Sequence, residues 1–251
     1  EESTYLLFII QDEDDKEIRR FTARPSKGIN RYYWDGSLGN RSYAGTRGEP
    51  FTTASSANLA APGKYQVEVF ISENGTLRPL NVKEEFRLNW MNNNSFGTKD
   101  HAKLIAFQDS LENARRDFVA LRELHSKLKT RSTQLKALAR NTPGAPLTIL
   151  NDLQKLEDDL NSLDLEINGD GIRAKYFFES KPSLSDRLNS AVWNSYSTTS
   201  APTGEQRKNL RIILQERLPM ETEIKRIQKE LDNFYSILLN SGALYLDGEM
   251  D

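Results

Sequence analysis

The stretch KDHAKLIAFQDSLENARRDFVALRELHSKLKTRSTQLKALAR, residues 99–140, decides the fold. Within it Leu104, Phe107, Leu111, Ala114, Phe118, Leu121, His125, Leu128, Ser132, Leu135 and Ala139 recur at alternating spacings of three and four. That spacing places them on one narrow helical stripe. No proline or glycine interrupts the run. At 1.5 Å per residue such a helix extends about 60 Å, and a stripe of that length has to be covered by other helices. Everything upstream reads as strand and turn, so the covering helices are expected downstream.

The expected cover follows in order. Asn141-Thr-Pro-Gly-Ala-Pro146 is a firm stop, after which residues 147–167 read as a second helix with Leu150, Leu153, Leu156, Leu160 and Leu163 as its stripe. The short link predicts an antiparallel hairpin. Residues 175–182 form an irregular link whose apolar trio Tyr176, Phe177 and Phe178 is expected to pack on the bundle. A third helix is expected over residues 183–196, capped by Ser183 and carrying Leu184, Leu188, Val192 and Tyr196. Pro202-Thr203 opens a fourth, with Thr203 as N-cap and Gln206 at the third helical position. Its stripe, Leu210, Ile213, Arg217, Met220, Ile224, Ile227, Leu231, Phe234 and Leu238, predicts pairing with the first helix. Pro219 is expected to kink or interrupt it near Gln215. Gly242 ends it, leaving an acidic tail over residues 243–251.

Upstream, Tyr5-Leu-Leu-Phe-Ile-Ile10 is a buried-strand run and residues 18–22 a second strand after the acidic turn Asp12-Glu-Asp-Asp-Lys16. Residues 29–34 alternate as a strand ending at the turn pair Asp35-Gly36. The segment 37–58 is rich in Gly, Ser, Thr, Ala and Asn and reads as a long loop. In it Arg41, Tyr43, Arg47 and Phe51 are the candidate ligand or partner contacts, against the plainer reading of an insertion docked on its own domain. Strand 65–72 and, after Asn74-Gly75, residues 76–90 complete five or six strands without a helix, which predicts a small antiparallel sandwich. Trp34, Tyr65 and Trp90 have the chemistry of sugar-stacking platforms, but strand aromatics in such a sandwich are expected in the core. The expectation is therefore an α+β multidomain chain. An immunoglobulin-like antiparallel β-sandwich over residues 1–95 precedes, after the polar hinge Asn92 to Gly97, an antiparallel four-helix bundle over residues 99–242.

The sequence Lys27-Gly-Ile-Asn-Arg-Tyr-Tyr-Trp-Asp-Gly36, followed by Leu59-Ala-Ala-Pro-Gly-Lys-Tyr-Gln-Val67, resembles the pattern of flagellar-hook-capping (FlgD-like) immunoglobulin-fold modules. More closely, it resembles the module behind the β-propeller in secreted bacterial BNR-repeat or sortilin-like proteins, often labelled glycosyl hydrolases. Pro202-Thr-Gly-Glu-Gln206 matches the Pro-Thr-x-x-Gln start of the helical segment that follows in those proteins. The loop 37–58 departs from the shorter connection usual there, so no role for it follows from the resemblance. The resemblance implies an exported bacterial protein, in the periplasm, at the cell surface or outside the cell. It implies as partner an upstream β-propeller or another cell-envelope protein.

Composition bounds the chemistry. The 251 residues carry 34 basic and 36 acidic side chains, a formal charge of −2 with no basic block, which argues against nucleic acid. There are no cysteines, which excludes disulfides and thiolate chemistry. No apolar run reaches the length of a membrane span. The start at Glu1 rather than methionine is read as a processed or excised piece of something longer. Of the two histidines, His101 has no motif partner, and His125 on the stripe is expected to be merely hydrogen-bonded. The acidic turn 12–16 and the carboxylates Asp164, Glu166 and Asp170 suggest calcium only faintly, because neither has the ligand spacing with a closing glutamate. No phosphate loop, nucleophile elbow or paired Glu-x-x-His motif is present. Neither a catalytic residue, a cofactor nor a metal is assigned. The chain itself is expected to be a non-catalytic structural or interaction region, its parent protein being an enzyme at most through another domain. The alternative is a carbohydrate-binding accessory module of a glycoside hydrolase. A hydrolase with an unrecognised carboxylate pair is the third reading.

Overall fold

The structure is a computed structural model that describes residues 3–39, 58–89, 91, 100–196 and 198–246. It is α+β, with strands first and helices after. Four strands, β1 (Tyr5–Asp12), β2 (Glu17–Ala23), β3 (Gly63–Glu73) and β4 (Thr76–Leu88), form one antiparallel sheet in the order β2-β1-β3-β4. Five helices follow: α1 (His101–Asn141), α2 (Thr148–Asn168), α3 (Gly171–Lys175), α4 (Leu184–Trp193) and α5 (Gly204–Asn240). The chain separates into two compact units, Glu1–Glu112 with Val192–Thr203, and Asn113–Ala191 with Gly204–Asp251. The expected hinge Asn92 to Gly97 and the end of the acidic tail lie outside the described residues.

In the sheet, the turns are those the sequence predicts. Asn74 and Gly75 take φ of 52° and 75°, the left-handed pair a tight two-residue hairpin requires. Gly36 sits at φ 77° after Asp35. Residues 29–34 correct the expectation of a further strand: they join no ladder of the sheet. A single sheet therefore stands, among the described residues, where five or six strands in a sandwich were expected. Residues 32–38 act as a strap across one face instead. Tyr32 packs on Phe8 (centroids 5.1 Å apart), and Trp34 meets Tyr65 and Phe86 edge-on at 5.7 and 5.9 Å. These rings close a small core around Ile10, Ala60 and Tyr65.

The helical unit follows the three-four spacing closely. On α1 every residue of the expected stripe is buried except Phe107, next to which Gln108 is buried instead. On α2 the first buried residue is Ile149 rather than Leu150, and the stripe continues through Leu153, Leu156, Leu160, Leu163 and Ile167. On α5, Tyr235 is buried in place of Phe234, and Arg217 sits at the edge of the stripe, paired with Asp117 and with Glu221 at 3.1 Å. Cross-helix pairs fix directions. Lys129–Asp164 (2.8 Å) and Lys136–Glu157 (2.6 Å) make α1 and α2 antiparallel. Asp117–Arg217 and Arg131–Asp232 (3.2 Å) make α1 and α5 parallel. These pairs are part-buried and mark the register, while the apolar stripe supplies the stability.

α5 also shows why five helices replace the expected four. Asp159 of α2 meets Arg226 at 2.5 Å, and Arg187 of α4 meets Asn209 at 3.0 Å, so α2 and α4 lie in succession along α5. They are two pieces of one antiparallel stripe. Between them the chain leaves the bundle: Gly169 ends α2 at φ 84°, Asp170 caps α3 by accepting from the Ile172 and Arg173 amides, and Ser183 re-enters. Ser183 and Asp186 bond each other's backbone amides, a capping box that confirms the expected Ser183 cap. The trio expected to pack on the bundle rides this excursion and is exposed, Phe177 by 95%. Pro219 does not interrupt α5, which runs unbroken through it. Buried Met220 and Ile224 on the following turn hold the helix together where the Gln215 carbonyl loses its amide partner.

These assignments predict that Leu153→Ala, at a fully buried position, destabilises the chain in urea unfolding by roughly 2–5 kcal/mol. Leu165→Ala, on the same helix but 56% exposed, is expected to change stability by no more than about 0.5 kcal/mol.

Candidate functional site

The sheet unit carries a cleft of about 300 Å³ between the outer strand β2 and the strap, lined by Arg19, Phe21, Thr22, Ala23 and residues 31–35. Its floor comes from strand alternation. Phe21 faces the same side as Phe8 and stacks on it at 4.8 Å. The pairing of β1 with β2 slips between Ile10 and Gln11, which leaves Ile18 as an extra residue. This bulge lets Ile18 pack on the core although its neighbour Arg19 lies opposite Ile10. Arg19 is consequently buried, 7% exposed, and its Nη1 donates to the Leu38 carbonyl at 3.1 Å.

The wall is held by local bonds. Asn30 accepts from the Ser26 amide and hydroxyl and donates to the Ser26 and Gly28 carbonyls, which locks the connector into the strap. Tyr32 Oη donates to the Arg24 carbonyl at 2.9 Å, and Trp34 Nε1 to the Ser37 carbonyl at 2.7 Å. Asp35 accepts from the Ser37 amide at 2.9 Å and the Ser37 hydroxyl at 2.5 Å. Partial burial pushes its carboxyl up, but the Ser37 bonds together with the Arg19 charge outweigh that and hold it below its ordinary range. The long loop leaves and returns through a closed base: Ser37 bridges Leu59, Leu38 donates to the Asn58 carbonyl, and Ala60 donates to the Gly36 carbonyl. Tyr33 projects from the strap, 87% exposed.

The site residues expected from the sequence, Arg41, Tyr43, Arg47 and Phe51, lie outside the described residues, as does Trp90. Trp34 and Tyr65 are core aromatics, with Tyr65 Oη donating to the Ala61 carbonyl at 2.6 Å. His125 is hydrogen-bonded as expected, through Nε2 to the Leu160 carbonyl at 2.8 Å. Of the carboxylates that suggested calcium, Asp12, Asp164 and Asp170 have structural partners. Asp12 accepts from the Asp14 and Lys16 amides within its own turn, Asp164 pairs with Lys129 and Asn168, and Asp170 caps α3. Among the described residues no cluster of three or more metal-ligating side chains occurs. Sequence reasoning passed over Arg19 and Tyr33. The signal for Arg19 is a charged residue alternating with Phe21 on one strand face, which the register with Phe8 and Ile10 places on the strap side.

No family model matches the chain, and no relative emerges among curated proteins or solved structures.

The depressed Asp35 carboxyl has a definite sign. Its native value lies below its unfolded one, so its contribution is present above about pH 4 and is lost as pH falls through the native value. Asp35→Asn keeps the acceptor but removes the charge. It is expected to lower stability at pH 7 and to match the parent once acid has protonated Asp35, as read by urea midpoints across the acid range.

Proposed function

We propose that this chain is a non-catalytic structural and interaction region of an exported bacterial β-propeller protein, packing on the propeller or binding a partner at the cell surface. The observation that supports the reading is a small apolar patch on the sheet face away from the strap, set among polar neighbours. Phe8, Ile10, Val67 and Val69 lie on the strap side, and Leu7, Ile9 and Phe70 on the opposite side. The latter three are only half-buried. Half-buried apolar side chains on a face that also carries Arg20, Glu68 and Lys83 fit a partial cover by a partner. The immunoglobulin-like reading belongs to the same proposal and is supported by the Trp34, Tyr65 and Phe86 ring cluster. So does the four-helix count, in which α1, α2, α4 and α5 are the stripe-bearing helices.

The alternative, a carbohydrate-binding accessory module, is favoured by one feature, the arginine and tyrosine cleft beside the strap. A glycan array probed with the chain separates the two: binding abolished by Tyr33→Ala, Tyr43→Ala or Phe51→Ala selects the accessory module. For the leading reading, amide exchange is compared between the isolated 251-residue chain and the same residues within a longer parent polypeptide carrying a propeller. Slower exchange of the β1 and β3 amides around Leu7, Ile9 and Phe70 in the parent is expected. Identical exchange in both removes the packing role.

A further inference from the structure

We propose that the aromatic tip between α2 and α4 seats the chain on an anionic lipid bilayer, with Phe177 and Phe178 entering the interface and Arg173 and Lys175 meeting the headgroups. This contact needs no propeller and so goes beyond the leading reading. Ile172, Tyr176, Phe177 and Phe178 are all exposed, Ile172 by 74% and Phe177 by 95%. Single exposed apolar side chains are ordinary, but such a run of them forms a patch that calls for an occupant. The backbone presents the patch in a fixed shape. As α3 closes, the Phe177 amide donates to the Ala174 carbonyl at 3.1 Å and the Phe178 amide to the Arg173 carbonyl at 3.0 Å. In this closure the left-handed residue after the helix is ordinarily glycine. Here it is Phe177, at φ 57°. A bulky residue in that conformation works against folding, and an exposed ring returns no packing to the chain. A contact outside the chain accounts for both.

Charge and shape say what that contact is. Residues 171–178 carry Arg173 and Lys175 and no acid. Neither cation pairs with a carboxylate among the described residues, and Lys175 Nζ lies 6.0 Å from the centroid of the Tyr176 ring, which keeps positive charge beside the apolar patch. Asp170, before the tip, is taken up by the Ile172 and Arg173 amides. The next acid along the chain, Glu179, is outnumbered by the two cations. Phenylalanine at the tip, with tyrosine and cations beside it, follows the order of polarity across a bilayer interface. Anionic headgroups add an attraction for each cation held at the surface. The patch is a projection with Phe177 open to its surroundings, which a soft apolar medium accepts without a preformed pocket. An acidic peptide answers the charges but leaves that ring uncovered.

Co-sedimentation of the whole chain with vesicles of phosphatidylglycerol and phosphatidylcholine in equal parts, beside vesicles of phosphatidylcholine alone, tests this. Binding to the mixed vesicles is expected, about fivefold or more weaker on phosphatidylcholine alone and weakened by salt. Phe177→Gly separates a role in the fold from a role at the bilayer. It relaxes the closure of α3, so its melting temperature is expected to match or exceed the parent's, while its binding to the mixed vesicles falls by about tenfold or more. Arg173→Ser combined with Lys175→Ser is expected to remove the preference for the anionic vesicles. No sedimentation with either vesicle, or binding by Phe177→Gly equal to the parent's, overturns the inference. A melting temperature lowered by Phe177→Gly shows that the ring serves the fold and overturns it as well. Tighter binding to a glutamate-rich peptide than to the mixed vesicles assigns the tip to an acidic protein instead of a bilayer.

Discussion

A helix of 41 residues with a single apolar stripe persists in water only while other helices lie over that stripe. The helical unit is arranged around this need. α5 runs parallel to α1 and supplies its own stripe from Leu210 to Leu238, while the remaining side is closed by α2 and α4 in succession. Two buried polar residues tie the helices together by fixed contacts. His125 holds the Leu160 carbonyl across to α2, and Asn209 accepts from Arg187 across to α4. The excursion between α2 and α4 follows from the same constraint. At the end of α2 Gly169, at φ 84°, and the Asp170 cap release the chain from the stripe, and the Ser183 capping box recaptures it.

The sheet unit solves a smaller version of the problem with less material. Four strands bury one face beneath a strap of aromatic side chains rather than beneath a second sheet. Such a strap covers a face unevenly. Where it lies over Tyr65 and Phe86 the packing is ring on ring; where it passes β2 it stands away and leaves the cleft that holds Arg19. The bulge at Ile18 adds an apolar side chain to the core, and the regular register beside it sets Arg19 at the cleft floor.

The sequence was most legible where one period governs many residues. The α1 stripe was readable residue by residue because its length averages out single exceptions, and Phe107 is the one position where the burial falls on a neighbour. The turns at Asp35-Gly36 and Asn74-Gly75 were readable because each needs a left-handed backbone that few residues adopt. Legibility failed where tertiary context overrides local pattern. Residues 29–34 have the alternation of a strand, yet the Asn30 side chain bonds to its own connector and commits the segment to a strap. Pro219 breaks an isolated helix, yet the buried residues after it keep α5 whole. Tyr176, Phe177 and Phe178 look like core by composition, and only the caps at Asp170 and Ser183 show that the chain has left the bundle there. Alternation with Phe21 does place Arg19 on the strap side; what strict alternation cannot anticipate is the bulge that lets Ile18 reach the core beside it.

The central claim is that register along the α1 stripe holds the helical unit together. Thermal unfolding of two insertion variants between Ala120 and Leu121 tests it directly. One added alanine turns every later α1 residue by about 100° and carries Leu121 through Ala139 off the stripe, whereas seven added residues nearly restore the facing. The account predicts loss of cooperative unfolding for the single insertion and its retention for the sevenfold one. Equal melting behaviour of the two, at the parent's midpoint, contradicts it.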